Sequence, residues 1–545
     1  MKAAHCKHLN ARLWLAAKLY SLALVVPLLS AGCAVFPEGT YWPAVQARAP
    51  GGEIPERLKA SHESAPALVP EQALARRQAL QPNLTRRWSN DGLAASARRM
   101  DGGAGRYVYA DAMGALVDCY VDPLKYRDLV LAGLESLRAA LDNPTFRDRF
   151  PEAADDLRRA RFAEAVDILA LKARAADPWF AFQAADWLAV AMEKNRAMLS
   201  LPDGAVVSEM LFGAMDSLDP YTRFLTPQMR EAEAREEEYV GIGIQLTSRD
   251  GRLLIHRVFE GGSAEKAGLK AGDEIVAVDG QAVAGTDLGA WAVRMRGKAG
   301  TKLVLTVRPA AGGEPREVAL VRHEVEMPSV LDAQVLDRER GIGYVHLTQF
   351  SGGSTSALRQ AIKDLERDGM RSLILDLRDN PGGYLLTSVQ IAGLFIPTGR
   401  VAEIRGRMLG ASWKYDVPPF ASPAWNGPLA VLVNGHTASA AEVLSAALAS
   451  HGRATLVGRR TFGKGAAQIN VPVDWGVCEI CMTIARVYDP DNACLEGQGV
   501  TPAVEVRQEP APGHDLKDDP DVRAAIERLA PDGVRSLTHR APDPF

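Results

Sequence analysis

The spacing of apolar residues changes twice along the chain, and these changes divide it into three folded parts. From residue 106 to 237, apolar residues recur at helical intervals, as in Leu134 and Leu137. Residues 238–326 form short β-type segments between Gly-rich turns. Residues 327–510 alternate strand-like apolar runs with helical segments. The sequence therefore predicts a multi-domain α/β protein with a helical N-terminal region, a β-rich domain and an α/β core.

The composition excludes several broad classes of protein. The 545 residues are 47% hydrophobic, which is enough apolar material for several cores and excludes global disorder. The 63 basic and 67 acidic side chains give a net charge of −4, which argues against broad electrostatic binding to nucleic acid. Six cysteines are too few for a disulfide scaffold.

The N-terminus has the pattern of an export signal. Basic residues precede an uncharged apolar run at 19–29, which is too short to cross a hydrocarbon core of about 30 Å as a helix. Residues 1–32 are therefore predicted to be a signal peptide. The tetrapeptide 30–33 resembles a bacterial lipobox, with Ser30 where Leu is usual. This resemblance implies lipidation of Cys33 and a membrane-anchored protein of the bacterial periplasm or cell envelope; the alternative is an ordinary signal peptide with an incidental cysteine.

Two segments outside the three folded parts lack sustained periodicity. Residues 33–105 are rich in Pro, Ala, Gly and Arg, which predicts a tether followed by irregular structure. Residues 511–545 are rich in Pro and Asp, and they are predicted to be a peripheral C-terminal tail with one short helix near residues 522–529.

The β-rich domain begins with glycines directly before a strand. Such a loop turns several backbone N–H groups inward as a nest for a carboxylate, while the next strand keeps an open edge for an extended peptide. The alternative is that the glycines only permit a bulge or tight turn. The phrase SAEKAGLKAGDEIVAVDG at 263–280 resembles the core of a PDZ domain, a family that binds C-terminal peptides. The predicted tail-binding residues are Tyr239, Val240, Gly241, Ile242 and Gly243.

Three strand ends in the α/β core carry residues with catalytic potential. One strand runs into Asn380-Pro381-Gly382-Gly383, where backbone N–H groups can approach a ligand closely. A second leads to Ser439 at a helix N-terminus, where N–H groups favour developing negative charge. A third leads to Lys464 between two glycines. Taken singly, Ser439 is also readable as a helix N-cap and the Gly-Lys-Gly loop as an exposed turn.

A serine nucleophile needs a base, and the sequence offers histidines or a lysine. His346, His436 and His451 are the histidine candidates, and neither His436 nor His451 has an obvious acidic partner. A lysine acting near neutral pH must have its pKa lowered by roughly 3 from about 10.4, which a dry pocket without a carboxylate partner can do. Gln468, four residues after Lys464, is a neutral group able to orient the amine.

Taken together, the motifs resemble one family closely. The phrases LILDLRDNPGGYL, VLVNGHTASAAEVLSAAL and VGRRTFGKGAAQ, with MDSLDPYTRFL and EGQGVTPAVEV, resemble the C-terminal processing peptidases, or tail-specific proteases, over residues 200–510. The resemblance implies a crotonase/ClpP-like α/β core. It further implies that Ser439 is the nucleophile, Lys464 the general base and Gln468 its orienting residue.

The same resemblance implies an oxyanion hole made by the backbone N–H of Ala440 and of Gly382 or Gly383. Two positions depart from the family pattern, although neither removes a catalytic group. Ala441 stands where another small hydroxyl residue is common, and His436-Thr437 replaces a commoner Gly-Ser.

The motifs predict an exported serine endopeptidase that captures apolar C-terminal tails of protein substrates and needs no cofactor or metal. Two alternatives stay open, a catalytically silent or partner-regulated PDZ adaptor and a Ser-His hydrolase using His436. An adaptor or regulatory protein and a second copy of the chain are further partners considered. A disulfide from Cys494 to Cys478 or Cys481 is plausible in an oxidising compartment.

Overall fold

The computed structural model describes residues 70–176, 180–227, 229–230, 240–249, 251–283, 288–325, 328–473, 478–508 and 515–529. The predicted leader, the lipidation site Cys33 and the tail-binding residue Tyr239 lie outside these residues. The described chain forms two compact units. The first contains the described residues up to Arg230 with Ile404–Trp413 and Ala466–Arg486. The second contains the described residues of 231–403, Lys414–Gly465 and the described residues from Val487 onward.

The first unit begins with helices packed around aromatic side chains. In the described residues these helices are α1 (Pro70–Trp88), α2 (Asp91–Arg99), α3 (Gly102–Cys119), α4 (Tyr126–Ala140), α5 (Pro144–Arg149), α6 (Asp156–Ala175), α7 (Ala181–Met198) and α8 (Asp203–Asp216). Trp88, fully buried, makes edge-to-face contacts with Phe146 and Phe150 at centroid distances of 5.2 and 5.1 Å. No described helix has the length and apolar character that crossing a bilayer requires.

The prediction of irregular structure for residues 33–105 is wrong where the structure describes them, because α1 and α2 are regular helices. Their buried faces rest on few large apolar residues: α2 buries Leu93 with two alanines, a stripe too weak to give a clear periodicity. The helix starts were nevertheless signalled by caps. Asn90 accepts a hydrogen bond from the backbone N–H of Leu93, and Asp101 caps α3 in the same way.

The β-rich domain of the second unit contains an antiparallel sheet and, among the described residues, two short helices. Its elements are β2 (Val240–Gly241), β3 (Ile244–Arg249), β4 (Arg252–Val258), α9 (Ser263–Lys266), β5 (Glu274–Val278), β6 (Gln281–Ala282), α10 (Leu288–Met295), β7 (Lys302–Arg308), β8 (Arg316–Val321) and β9 (His323–Glu324). The sheet runs in the order β3-β4-β5-β7-β8, so β3 lies at an edge. The first residues of the PDZ-like phrase at 263–280 form the short helix α9.

The rest of the described chain contains both strands and helices, as predicted for an α/β core. Its elements are β10 (Val330–Asp337), β11 (Ile342–Leu347), α11 (Ser354–Arg367), β12 (Ser372–Asp376), α12 (Leu385–Ala392), β13 (Arg400–Gly406), β14 (Trp413–Asp416), β15 (Leu429–Val433), α13 (Ala440–Ser450), β16 (Thr455–Gly458), β17 (Ala466–Val473), β18 (Cys478–Tyr488), β19 (Val504–Glu505) and α14 (Pro520–Leu529). A second sheet joins β18 to β13, β17 and the short β1 (Arg223–Leu225).

The main sheet of the α/β core has the order β10-β11-β12-β15-β16-β19. Strands β11 to β19 in this order are parallel, and only β10 at the edge is antiparallel. Every residue of β12 and β15 is buried, which is the pattern expected of central parallel strands covered on both faces. The carboxyl ends of β12, β15 and β16 therefore lie side by side at one edge.

The C-terminal helix α14 is part of this core and not a peripheral tail. Val522, Ala525 and Leu529 pack into the same apolar cluster as Tyr344 and Ile374 of the sheet. The prediction of a peripheral segment was wrong because the two aspartates at the start of the helix, which suggest solvent exposure, are themselves fully buried.

Candidate active site

The three predicted loops meet at the carboxyl edge of the parallel sheet. The turn containing Gly382 follows β12, the segment leading to Ser439 follows β15, and the loop containing Lys464 follows β16. Adjacent parallel strands deliver their following loops to a common crevice, which is the usual ligand position in such sheets.

Ser439 has a backbone conformation that an ordinary N-cap does not have. Its φ is 57° and its ψ is −120°, whereas a helix N-cap normally lies in the β region. A non-glycine residue held there stores roughly 1–3 kcal/mol of strain, which persists only where the surrounding structure enforces it. The side chain is half-buried at the first turn of α13. The conformation therefore favours a functional residue over a simple cap.

Glu442 joins the serine segment to the lysine loop. Its fully buried carboxylate accepts hydrogen bonds from the backbone N–H groups of Ser439 and Lys464 on Oε2, both at 2.8 Å. Its Oε1 accepts from the hydroxyl of Thr461 at 2.5 Å and from the N–H of Gly463 at 2.7 Å. Glu442 was not among the predicted site residues, although the spacing Ser439-x-x-Glu442 is that of a capping box.

The glycine turn lies against the nucleophile segment. A side-chain carbon added at Gly382 would stand 2.8 Å from Cβ of Ser439 and 2.9 Å from the backbone N of Ala440. A carbon added at Gly383 would stand 2.3 Å from the carbonyl oxygen of Phe350, so this position also excludes a side chain. The N–H of Gly382 donates to Oδ1 of Asn380 at 2.9 Å. The structure thus places Ser439, Ala440 and the glycine turn together.

Asp379 ties the glycine turn to the loop after β15. Its N–H donates to Oδ1 of Asn434 at 3.1 Å, and the amide of Asn434 donates back to Oδ1 of Asp379 at 3.0 Å. Asp379 has a φ of 58°, so two non-glycine residues with positive φ, Asp379 and Ser439, lie in neighbouring segments of the site. Such clustering is typical of functional sites.

A buried ion pair stands directly before the glycine turn. Arg378 donates from Nη2 to Oδ2 of Asp376 at 2.6 Å, and the hydroxyl of Tyr344 donates to the same oxygen at 2.8 Å. Burial opposes ionisation of Asp376, but Arg378 outweighs it, so the pKa of Asp376 lies below its ordinary value. Burial, followed by the charge of Asp376, raises the pKa of Tyr344 and keeps it a donor. The sequence signal for this pair was two charges at the end of an apolar strand.

The three histidine candidates occupy different positions. His436 is exposed, and its backbone N–H donates to Oδ1 of Asn434 at 3.0 Å. His451 caps the end of α13, with its Nε2 2.7 Å from the carbonyl oxygen of Arg400. His346 lies opposite Asp376 on the neighbouring parallel strand.

Gln468 belongs to the first unit, whereas Ser439 and Lys464 belong to the second. The amide of Gln468 donates to the hydroxyl of Thr483 across the pair β17 and β18, at 3.4 Å. The disulfide considered for Cys494 is not present: the four described cysteines, Cys119, Cys478, Cys481 and Cys494, are thiols. Cys494 instead stands opposite Tyr488 in a short bridge.

The predicted tail-binding loop is built into a tight turn before the edge strand β3. Val240 and Gly241 pair with Glu324 and His323 of β9. The carbonyl oxygen of Ile242 accepts from the N–H of Ala264 at 2.9 Å, which fixes the loop to α9. Gly243 has a φ of 79°, and a side-chain carbon there would stand 2.9 Å from Cα of Gly262. The alternative of a glycine-dependent tight turn is therefore compatible with a binding loop.

Comparison with known proteins gives consistent similarities. Residues 341–506 match peptidase family S41, and residues 254–309 match a PDZ domain. A carboxyl-terminal-processing protease of Picosynechococcus sp. is 33% identical over 60% of this chain and 79% of its own. A carboxy-terminal-processing protease of Bartonella bacilliformis is 31% identical over 57% and 72%. The solved photosystem II D1 C-terminal processing protease matches 77% of this chain and 97% of its own, with 25% identity and a TM-score of 0.43.

Proposed function

The chain belongs to the carboxyl-terminal processing proteases of peptidase family S41, and from this premise we propose that it cleaves protein substrates with a Ser439–Lys464 dyad after its PDZ domain has captured their C-terminal tails. The family and the serine-type peptidase activity predicted from the motifs are confirmed, as is the combination of a helical region, a PDZ domain and an α/β core.

The observation that supports the Ser439–Lys464 dyad is the hydrogen bonding of the Glu442 carboxylate to both segments. Because one oxygen accepts from the N–H groups of both Ser439 and Lys464 at 2.8 Å, the two nitrogens are at most about 5.6 Å apart. The two backbones are thus held next to each other by a group that cannot itself act as the base while it accepts four hydrogen bonds. The proposal assigns that role to the lysine amine, which would take the proton of the serine hydroxyl as the hydroxyl attacks the scissile carbonyl.

The oxyanion that forms would be held by backbone N–H groups. Ala440 is the first residue of α13, so its N–H has no carbonyl partner within the helix. The N–H of Gly382 already donates to Asn380, which favours Gly383 as the second donor. Each such donor contributes on the order of a hundredfold or more to kcat in related acyl-transfer sites. After the acyl-enzyme forms, the lysine would return the proton to the leaving amine.

Gln468 is proposed, from the family motif, as the group that orients the lysine amine. A neutral amide suits this task because a carboxylate at that position would favour the charged, non-basic form of the amine. The hydrogen bond from Gln468 to Thr483 limits the rotation of its side chain.

The PDZ domain is proposed to bind the substrate tail at residues 239–243 and along β3. An edge strand has unpaired backbone groups to which an extended peptide can add, and the turn before it carries the N–H groups that would receive a terminal carboxylate. The half-buried Leu246 of β3 packs against the apolar core and supports a preference for apolar tails.

The N-terminal pattern supports export and anchoring as part of the proposal. The proposal is that residues 1–32 are removed, that Cys33 carries lipid, and that the enzyme works on envelope proteins at the membrane surface.

Tail dependence tests the proposed function directly. We expect the purified protein lacking residues 1–33 to cleave an unstructured polypeptide that ends in apolar residues. The same polypeptide with two C-terminal aspartates should be cleaved at least tenfold more slowly, and Ser439→Ala should cleave neither. Equal cleavage of both substrates would remove the proposed role of the PDZ domain. Tail binding without any cleavage would identify an adaptor.

A further inference from the structure

Two arginines stand immediately before the two loops that flank Ser439. Arg378 follows β12 and precedes the glycine turn at 379–383, which contains the proposed oxyanion donor Gly383. Arg459 follows β16 and precedes the loop at 461–464, which ends in the lysine. Between these strands lies β15, the strand that leads to Ser439. The two arginines therefore lie at the starts of the loops on either side of the nucleophile segment.

One carboxylate from the C-terminal helix binds both arginines. Oδ2 of Asp521 accepts from Nη1 of Arg378 at 2.9 Å and from Nη2 of Arg459 at 2.9 Å, and its Oδ1 accepts from Nη1 of Arg459 at 3.3 Å. The side chain of Asp521 is fully buried, so these contacts are shielded from solvent. A carboxylate shared by two guanidinium groups fixes the separation of the groups that it binds.

Asp519 fixes the position of Asp521. Its Oδ2 accepts from Nη1 of Arg378 at 2.7 Å, while its Oδ1 accepts from the backbone N–H groups of Asp521 and Val522 at 2.8 and 3.2 Å. It thus caps α14 and holds the arginine at the same time. With Asp376, three buried carboxylates surround Arg378 and Arg459, so every charge in the cluster has a partner of opposite sign.

We propose that Asp521, supported by Asp519, is a positioning residue of the peptidase: the C-terminal helix sets the distance between the oxyanion turn and the lysine loop. This proposal rests on the proposed function, because it assigns the two loops their catalytic roles. Asp521 touches neither the substrate nor the reacting atoms, and it acts through Arg378 and Arg459. Its removal should impair the chemical step and leave tail capture by the PDZ domain intact.

The test is Asp521→Asn in the purified protein, with Asp518→Asn as the matched control. Asp518 is an exposed aspartate three residues earlier on the same segment. We expect kcat of Asp521→Asn to fall about a hundredfold, the effect of a displacement of about 1 Å, with KM within about twofold of the wild type. Asp518→Asn should match the wild type in both constants.

Active-site titration distinguishes positioning from simple loss of folded enzyme. The endpoint of labelling by a fluorophosphonate counts folded active sites, and kcat is divided by this count. A fall in activity that only follows the count of labelled sites would overturn the proposal, as would an unchanged kcat or a rise confined to KM. If Asp521→Asn yields no labelled protein, Arg459→Lys is the second test. This variant keeps the positive charge and loses the bidentate contact of the guanidinium with Asp521. It must show the same fall in kcat per labelled site, or the proposal fails. An inactive wild type, or an active Ser439→Ala variant, would instead contradict the proposed function.

Discussion

Replacing Glu442 by glutamine is the most informative perturbation of the candidate site, because it changes charge and hydrogen bonding with almost no change in volume. The carboxylate accepts four hydrogen bonds, two on each oxygen, from the serine segment and the lysine loop. In Glu442→Gln one oxygen becomes an amide that can only donate, so two of the four donors lose their acceptor in a buried site.

The magnitude follows from these two lost bonds. A hydrogen bond to a charged group contributes about 1.5–3 kcal/mol, so the variant should lose about 3–6 kcal/mol of its free energy of unfolding. Domains are stable by only about 5–15 kcal/mol, and the change should be plain in urea unfolding. Whichever oxygen becomes the amide, the two donors that lose their acceptor lie in segments that carry Ser439 or Lys464. Because these segments are then held less firmly, kcat should fall about a hundredfold with little change in KM.

The assays are urea denaturation and cleavage of an apolar-tailed polypeptide, both compared with Glu366→Gln. Glu366 is an exposed glutamate on α11, and its replacement should change the unfolding free energy by less than about 0.5 kcal/mol. If Glu442→Gln keeps the wild-type midpoint and kcat, the carboxylate does not hold the two loops together and the interpretation is refuted.

Two further predictions concern the turn and the ion pair. Gly383→Ala, which brings a methyl group within 2.3 Å of the carbonyl oxygen of Phe350, should lower kcat per titrated site by at least about a hundredfold. Gly399→Ala, in the same unit, also replaces a glycine of positive φ and brings a methyl group within 2.5 Å of the His451 ring, and it should destabilise the protein without this loss of kcat. The pKa of Asp376 lies below its unfolded value of about 3.9, so its contribution to stability is complete above that pH and is lost as the pH falls through the lower folded value. The difference in urea midpoint between wild type and Asp376→Asn should therefore be constant from pH 5 to 8 and narrow below about pH 4, and a difference that widens there would contradict the assigned shift.

The loops at the strand ends were predictable because their signals are local. An apolar run followed by glycines, or by a serine at a helix start, specifies a strand end and a close backbone approach within about ten residues. The positions of Gly382, Ser439 and Lys464 at one sheet edge follow from the rule that parallel strands deliver their loops to the same side.

The residues that organise these loops were not predictable in the same way. Glu442 is read locally as half of a capping box, yet two of its four donors lie on Gly463 and Lys464, more than twenty residues away. Asp519 and Asp521 sit in a Pro- and Asp-rich segment whose composition suggests solvent exposure. Their burial depends on ion pairs with Arg378 and Arg459, which lie 62 to 143 residues away in the chain. No local sequence pattern indicates such a pairing.

The helices at 70–99 were missed for a compositional reason. The buried stripe of α2 contains Leu93 and two alanines, so its periodic contrast with the exposed arginines is weak, and α1 has only Leu84 and Trp88 as large buried residues among its described side chains. The cap at Asn90 was the better signal for α2, because a cap depends on one side chain and its neighbours only.

The proposed mechanism requires Lys464 to act as the base for Ser439. The decisive measurement is cleavage of an apolar-tailed polypeptide by Lys464→Ala, Ser439→Ala and His436→Ala, each normalised to folded protein. We expect Lys464→Ala to be as inactive as Ser439→Ala and the exposed His436 to be dispensable. Retained activity in Lys464→Ala, together with loss in His436→Ala, would contradict it and identify a Ser-His hydrolase.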